Sequence, residues 1–206
     1  MSNAAPSPPK VIKDSSIAGV PGFFDYASLY ERVVEECPRN SFLVEVGVYH
    51  GLSLRHLAHL SKAADKNLTV VGIDWGRGSP EVPKGESIHP DTIACEQPCG
   101  NLASPMLSTL ITAGVADETL LILAPSVKAA KLIPDGSCAM VFIDACHTKE
   151  AVAADIRAFL PKVAPNGICA GHDYFVFPGV REAVHDAFGF QDWMCRDANS
   201  CWEVRL

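Results

Sequence analysis

The chain has 206 residues, 48% of them hydrophobic and 20% charged, and a formal net charge of −7 at pH 7. That length fits one domain with a sizeable core. The acidic balance and the lack of a basic stripe exclude a nucleic-acid partner; no run has the length of a membrane span and no leader pattern opens the chain, so the expectation is a cytoplasmic protein that binds a small molecule.

Residues 1–15, opening MSNAAPSPPK, read as a disordered tail, and residues 16–206 as a single domain. The first strand-like run is SFLVEVG (41–47), followed by a helix marked by Leu54, Leu57 and Ala58 and a second strand, LTVVGID (68–74). Residues 76–100 hold four glycines and four prolines without periodicity, and read as an insertion: a binding loop or lid, or a plain surface excursion. Leu107, Leu110 and Ile111 mark the face of the next helix, entered through Ser104 and Pro105. Two further strands are TLLILA (119–124) and CAMVFID (138–144). Between 147 and 160, Val152, Ile156, Phe159 and Leu160 share a helical face, with Thr148 as cap and Pro161 as stop. A fifth strand, GICAGHD (167–173), follows. The final stretch, FQDWMCRDANSCWEVRL, gives two strand-like pieces joined by turn residues, an antiparallel hairpin whose exposed edge offers a route to a homo-oligomer. Strands of nearly continuous hydrophobicity alternating with helices predict a mostly parallel α/β sheet covered by helices on both faces.

Of the eight cysteines, Cys138, Cys146 and Cys169 lie in or at the ends of apolar runs and read as reduced core thiols. Cys95 and Cys99 stand near His89 at a loose spacing, where a plain loop outweighs a zinc site.

In an open parallel sheet the ligand sits beyond the carboxyl ends of the strands, where the winding direction reverses. The residues at those ends are Glu45 and Gly47, Asp74 and Trp75, Ala124 to Ser126, Asp144 to His147, and His172 with Asp173. Gly47 and Gly51 allow a tight strand-to-helix turn close to a ligand, with helix N–H groups facing it. Asp74 lies 23 residues after Gly51, near the offset of about 20 at which an acid meets ribose hydroxyls. Tyr49 fills the place of a second glycine and obstructs a dinucleotide, while Glu45 repels phosphate and suits a cation. An adenosyl group carrying an amine and a sulfonium meets both conditions.

The segments LVEVGVYHGLS, VVGIDW, MVFIDACHTKEAVAADIRAFLPKVAPNGICAGHDY and FPGVREAVHDAFG together resemble the class I S-adenosylmethionine-dependent methyltransferases, in the small bacterial branch related to macrolide-sugar O-methyltransferases and cephalosporin-hydroxylase-like proteins. The resemblance spans about residues 20–206 and implies a doubly wound, Rossmann-like sheet of seven strands, one antiparallel. It implies that Glu45, Gly47, Gly51 and Ser53 form the cofactor's amino-acid and turn site, that Asp74 holds the ribose, and that Ser126 lies near adenine. Asp144 with His147, and His172 with Asp173, then match the polar pairs of the reaction centre. Cys146 stands where relatives carry an acid, and Asn166 where they carry glycine.

O-methylation requires removal of the acceptor's hydroxyl proton. Asp144 and Asp173 can hold Mg²⁺, which lowers the hydroxyl's pKa, or His147 or His172 can act as general base; Cys146 removes one expected carboxylate and tips the reading to a histidine. Trp75 reads as a stacking partner for adenine, His50 is as readily exposed as functional, and Asp144 has a second reading as the cap of the helix after it. Two other functions share the crevice: a nicotinamide-dependent oxidoreductase, disfavoured by Tyr49 and the hairpin, and a non-catalytic binding module on a degenerate methyltransferase fold.

Overall fold

The computed structural model describes residues 19–79, 101–189 and 200–206. The expected tail, the body of the 76–100 insertion with His89, Cys95 and Cys99, and the first half of the C-terminal hairpin lie outside the described residues. Five strands run parallel: β1 (Phe42–Val46), β2 (Thr69–Asp74), β3 (Thr119–Leu123), β4 (Cys138–Ile143) and β5 (Val163–Gly171). The last, β6 (Trp202–Arg205), lies antiparallel on β5, and the order across the sheet is β3-β2-β1-β4-β5-β6. Six strands are therefore seen among the described residues where seven were expected; the piece that would supply the seventh falls within 190–199.

The helices are α1 (Ala27–Glu36), α2 (Leu52–Ala63), α3 (Ala103–Thr112), the short α4 (Ser126–Ala129), α5 (Lys149–Phe159) and α6 (Pro178–Phe188). They cover both faces of the sheet. On one face Leu43, Met140, Phe142 and Ile168 pack under α1, α2 and α3; on the other Val44, Val46, Val71, Val141 and Cys169 pack under α5 and α6. The two sets alternate along each strand because successive side chains point to opposite faces. Glu45 thus shares the α1/α2 face with Leu43. No helix among the described residues is long and apolar enough to cross a membrane.

Several elements follow the sequence closely. Thr148 caps α5 by accepting the Ala151 N–H, and Val152, Ile156 and Phe159 are buried beneath it. Leu54, Leu57 and Ala58 are fully buried in α2. The inner face of α3 is different: Met106 and Leu110 are buried, whereas Leu107 and Ile111 are 48% and 59% exposed. Four positions separate Met106 from Leu110, so the methionine takes the stripe that the leucine pattern assigned to its neighbour. β5 begins four residues before the expected 167, at Val163, and turns at Asn166, which holds φ +65°. Asparagine tolerates that left-handed conformation better than other non-glycine residues, so the turn does not require glycine there. Ion pairs from Arg32 to Glu203 and from Arg205 to Glu36 tie α1 to the edge strand β6.

Candidate active site

The strand register aligns Val46, Ile73, Ile143 and Gly171 in one row. Gly47, Asp74, Asp144 and His172 each stand one residue beyond it, so four positions scattered over 126 residues of chain meet at one edge. The winding direction reverses between β1 and β4, and there the edge opens into a cavity of about 1250 Å³. Gly47, Ser53, Asp74, Trp75 and Ser126 line its β1–β3 side. Asp144, His147, His172 and Asp173 line the β4–β5 side. Glu45 and Gly51 do not reach its wall.

Gly51 is placed behind the turn at φ +83°, just ahead of α2. Glu45 is fully buried under α1 and α2, accepting a hydrogen bond from the Tyr30 hydroxyl at 2.7 Å and another from the Ser53 hydroxyl at 2.7 Å. Burial pushes its carboxyl up to about 8, against the lowering effect of the Ser53 and Tyr30 bonds and with Asp144 and Asp74 adding repulsion. Its contact with the cavity runs through Ser53, whose hydroxyl donates a hydrogen bond to it.

Asp74 is oriented by the turn it closes. One carboxylate oxygen accepts the N–H groups of Val48 and Tyr49 at 2.9 and 3.1 Å, and the other accepts the Gly76 N–H at 2.7 Å. Tyr49 reaches φ +52°, which swings these amides toward the acid. The turn amides of Val48 and Tyr49 are therefore given to Asp74, and the turn itself presents a carboxylate. Trp75 is 42% exposed at the cavity wall, its indole N–H donating to the Gly78 carbonyl. His50 is buried at that wall.

The opposite side carries the titratable centre. His172 is held through both ring nitrogens, Nε2 against Asp25 at 3.0 Å and Nδ1 against Asp173 at 3.4 Å. Burial opposes its charge, but the bonds to Asp173 and Asp25 and the fields of Asp144 and Asp173 outweigh it and push the imidazole up to about 10. Asp173 also meets His147 Nε2 at 3.0 Å. Burial works against the Asp173 charge too, yet the bonds from His147 and His172 hold its carboxyl well below the usual range. His147 lies 3.8 Å from Asp144 and stacks flat on Phe177, with centroids 4.3 Å apart at 8°. The Tyr26 hydroxyl donates to Asp144 at 3.3 Å. Thr148 fills the cap position of α5, so Asp144 is not spent there.

Cys138 and Cys169 are buried in the strands as expected, but Cys146, past the end of β4, is a half-buried residue of the cavity wall with Sγ 3.6 Å from Thr148 Oγ1. Three contributors escaped the sequence reading. Asp25 comes from the N-terminal segment, Phe177 from just before α6, and Asp155 from the middle of α5, where its buried carboxylate accepts the Ser126 hydroxyl at 2.5 Å. An aspartate on the inward stripe of α5, one position before Ile156, was the available signal for Asp155.

Residues 44–174 match the model of a family described as a methyltransferase domain. No curated protein matches the chain. Among solved structures, the O-methyltransferase NovP is 19% identical with a TM-score of 0.67, covering 87% of this chain and 78% of its own. CalS11, a calicheamicin methyltransferase, is 18% identical with a TM-score of 0.58 and coverage of 87% and 76%. TomG, an O-methyltransferase from Streptomyces achromogenes involved in tomaymycin synthesis and solved with S-adenosylmethionine, is 15% identical with a TM-score of 0.58 and coverage of 84% and 72%. At these identities the likeness is one of fold.

Proposed function

The chain belongs to the methyltransferase-domain family and is an S-adenosylmethionine-dependent methyltransferase; from that premise we propose that it methylates a hydroxyl of a small molecule, with His147 taking the hydroxyl proton. The residues present fit the cofactor. Asp25, Asp74, Asp144, Asp155 and Asp173 face the cavity, and no Lys or Arg does so among the described residues. That donor set suits a ligand bearing a sulfonium and an ammonium, and does not suit the pyrophosphate of a nicotinamide dinucleotide. When bound, the cofactor supplies a methyl group on a sulfonium. Gly47 and Ser53 would lie along its amino-acid portion, Asp74 at the ribose, and Trp75 and Ser126 at the base, with Glu45 acting through Ser53 and Gly51 through the turn.

The observation that carries the choice of base is the unequal use of the two histidines. Both ring nitrogens of His172 are engaged by carboxylates, which leaves no nitrogen to receive a proton. His147 meets Asp173 and Asp144 through Nε2, at 3.0 and 3.8 Å. A carboxylate on Nε2 orients the imidazole and favours the tautomer protonated there, an arrangement suited to a general base. His172 acts as a fixed positive charge that keeps Asp25 and Asp173 in place, and positioning of the acceptor then supplies much of the remaining rate.

A second reading rests on one measurement: ligand atoms of Asp144, His147 and Asp173 all lie within 4.8 Å of one another. A divalent cation such as Mg²⁺ held there would lower the hydroxyl's pKa without a base.

Methyl transfer followed by mass spectrometry separates the two. With His147 as base, EDTA leaves turnover unchanged and His147→Ala lowers it about a hundredfold, the low end for loss of a general base, while S-adenosylhomocysteine affinity stays near wild type. Abolition by EDTA and restoration by Mg²⁺ would establish the metal instead. Binding of NAD in place of S-adenosylhomocysteine, or of neither, would defeat the cofactor assignment. Asp74→Ala strips the acceptor from three backbone N–H groups, and is expected to weaken S-adenosylhomocysteine by about 1–3 kcal/mol in titration calorimetry. Unchanged affinity would remove Asp74 and its turn from the cofactor site.

A further inference from the structure

The cavity of about 1250 Å³ exceeds the range of roughly 300–1,000 Å³ that holds one drug-sized ligand, so cofactor and acceptor both fit. The sheet divides it: Gly47, Asp74 and Ser126 belong to the β1–β3 side, whereas His147 and Asp173 belong to the β4–β5 side. Around that second side the wall is apolar and open. Phe175, Val176 and Phe177 line it at 59%, 60% and 38% exposure, and Phe23 of the N-terminal segment lines the same cavity at 73%. Large apolar side chains left open at the mouth of a cavity mark a surface that a ligand covers. The His147 ring covers one face of Phe177, and the phenyl ring is still exposed beside the base.

The charge pattern is equally directional. Phosphate sites are built from Arg, Lys or unpaired helix N–H groups. Here five aspartates and no Lys or Arg line the cavity among the described residues, and the turn amides of Val48 and Tyr49 are taken by Asp74.

Building on hydroxyl methylation at this site, we propose that the acceptor is an uncharged aromatic compound bearing a hydroxyl, seated against Phe23, Phe175, Val176 and Phe177, and not a nucleotide-linked or otherwise anionic sugar. Aromatic rings meet the phenyl groups edge-on or offset, and the hydroxyl then lies toward His147 and Asp173.

Calorimetry tests this with 2,3-dihydroxynaphthalene, TDP-glucose and methyl glucoside as probes, each titrated into cofactor-free protein and into protein loaded with S-adenosylhomocysteine. The naphthalene diol is expected to bind and neither sugar to compete with it. Phe177→Ala and Phe23→Ala should each weaken the diol about tenfold, a loss in line with removal of one aromatic contact, and leave S-adenosylhomocysteine within twofold of wild type. Phe23 is mostly exposed, so its substitution spares the fold even if that of Phe177 does not. Tighter binding of either sugar, or diol binding indifferent to both substitutions, overturns the acceptor class. Diol binding that depends on Phe23 in a protein that does not bind S-adenosylhomocysteine would uphold the acceptor class and defeat the methyltransferase chemistry alone.

Discussion

Replacing Gly47 by alanine is expected to destabilise the protein by about 4 kcal/mol, summing midpoints of roughly 2 kcal/mol for overpacking and roughly 2 kcal/mol for backbone strain. A Cβ at this position would stand 2.0 Å from the Asp144 carbonyl oxygen, 2.5 Å from its carbon and 2.8 Å from Ala145 Cα. All three are backbone atoms, and none can retreat by a rotamer change. Both chains are also pinned, since the Gly47 N–H donates to Ile73 at 2.8 Å and the Asp144 N–H to Val46 at 2.7 Å. The residue holds φ +93°, a further strain for any side chain. Gly51→Ala is the control. Its φ of +83° is comparably strained, but the nearest atom to an added Cβ is 3.5 Å away, so only about 1–2 kcal/mol is expected. Urea denaturation of both variants checks the difference. Equal losses would mean that β1 and β4 do not approach this closely at the switch point. The pair also separates fold from function, because prising β1 from β4 widens the floor beneath both halves of the cavity.

How far the sequence foretold this arrangement depends on which physical signal each part carries. The strand ends were legible because parallel strands buried on both faces are continuous apolar runs, and the first polar residue after each run marks its exit. Asp74, Asp144 and His172 were found that way and do share one cavity. Ser126 was marked the same way, at the end of the third run, and the resemblance to methyltransferases added Ser53, which no periodicity marks. Asp25 was not legible: its meeting with His172 joins positions 147 residues apart, and neither residue's local pattern encodes that contact. The roles of the histidines were not legible either, because a base and a fixed cation are the same residue until the carboxylates around each nitrogen are placed. Tyr30 was not legible either: no motif marks it, yet it packs on Phe142 and donates its hydroxyl to Glu45.

Glu45 supplies the second large effect, through pH. Its folded pKa of about 8 lies above the ordinary 4.5, so between those values the native state keeps a proton that the unfolded chain has lost. The unfolded state then binds fewer protons, and stability must fall as pH rises across this window. At 1.36 kcal/mol per unit, wild type should lose about 4 kcal/mol from this group between pH 5 and pH 8, to order of magnitude. Glu45→Gln keeps the shape, accepts the Ser53 hydroxyl through its carbonyl and removes the ionisation. Its stability should therefore fall less steeply by about that amount, read from urea denaturation at the two pH values. His172 contributes a loss of its own as pH rises from 6.5 toward 10, since its charged form is the native one, but that loss is common to both proteins and cancels in the difference. Parallel pH profiles would show that Glu45 is ionised in the native state. That outcome would also change the cavity, because a neutral Glu45 leaves Ser53 as the polar group facing the cofactor's ammonium, whereas an ionised one would add a sixth carboxylate behind the five already there. Burial of the acid within β1 thus fixes how much negative charge the cofactor meets.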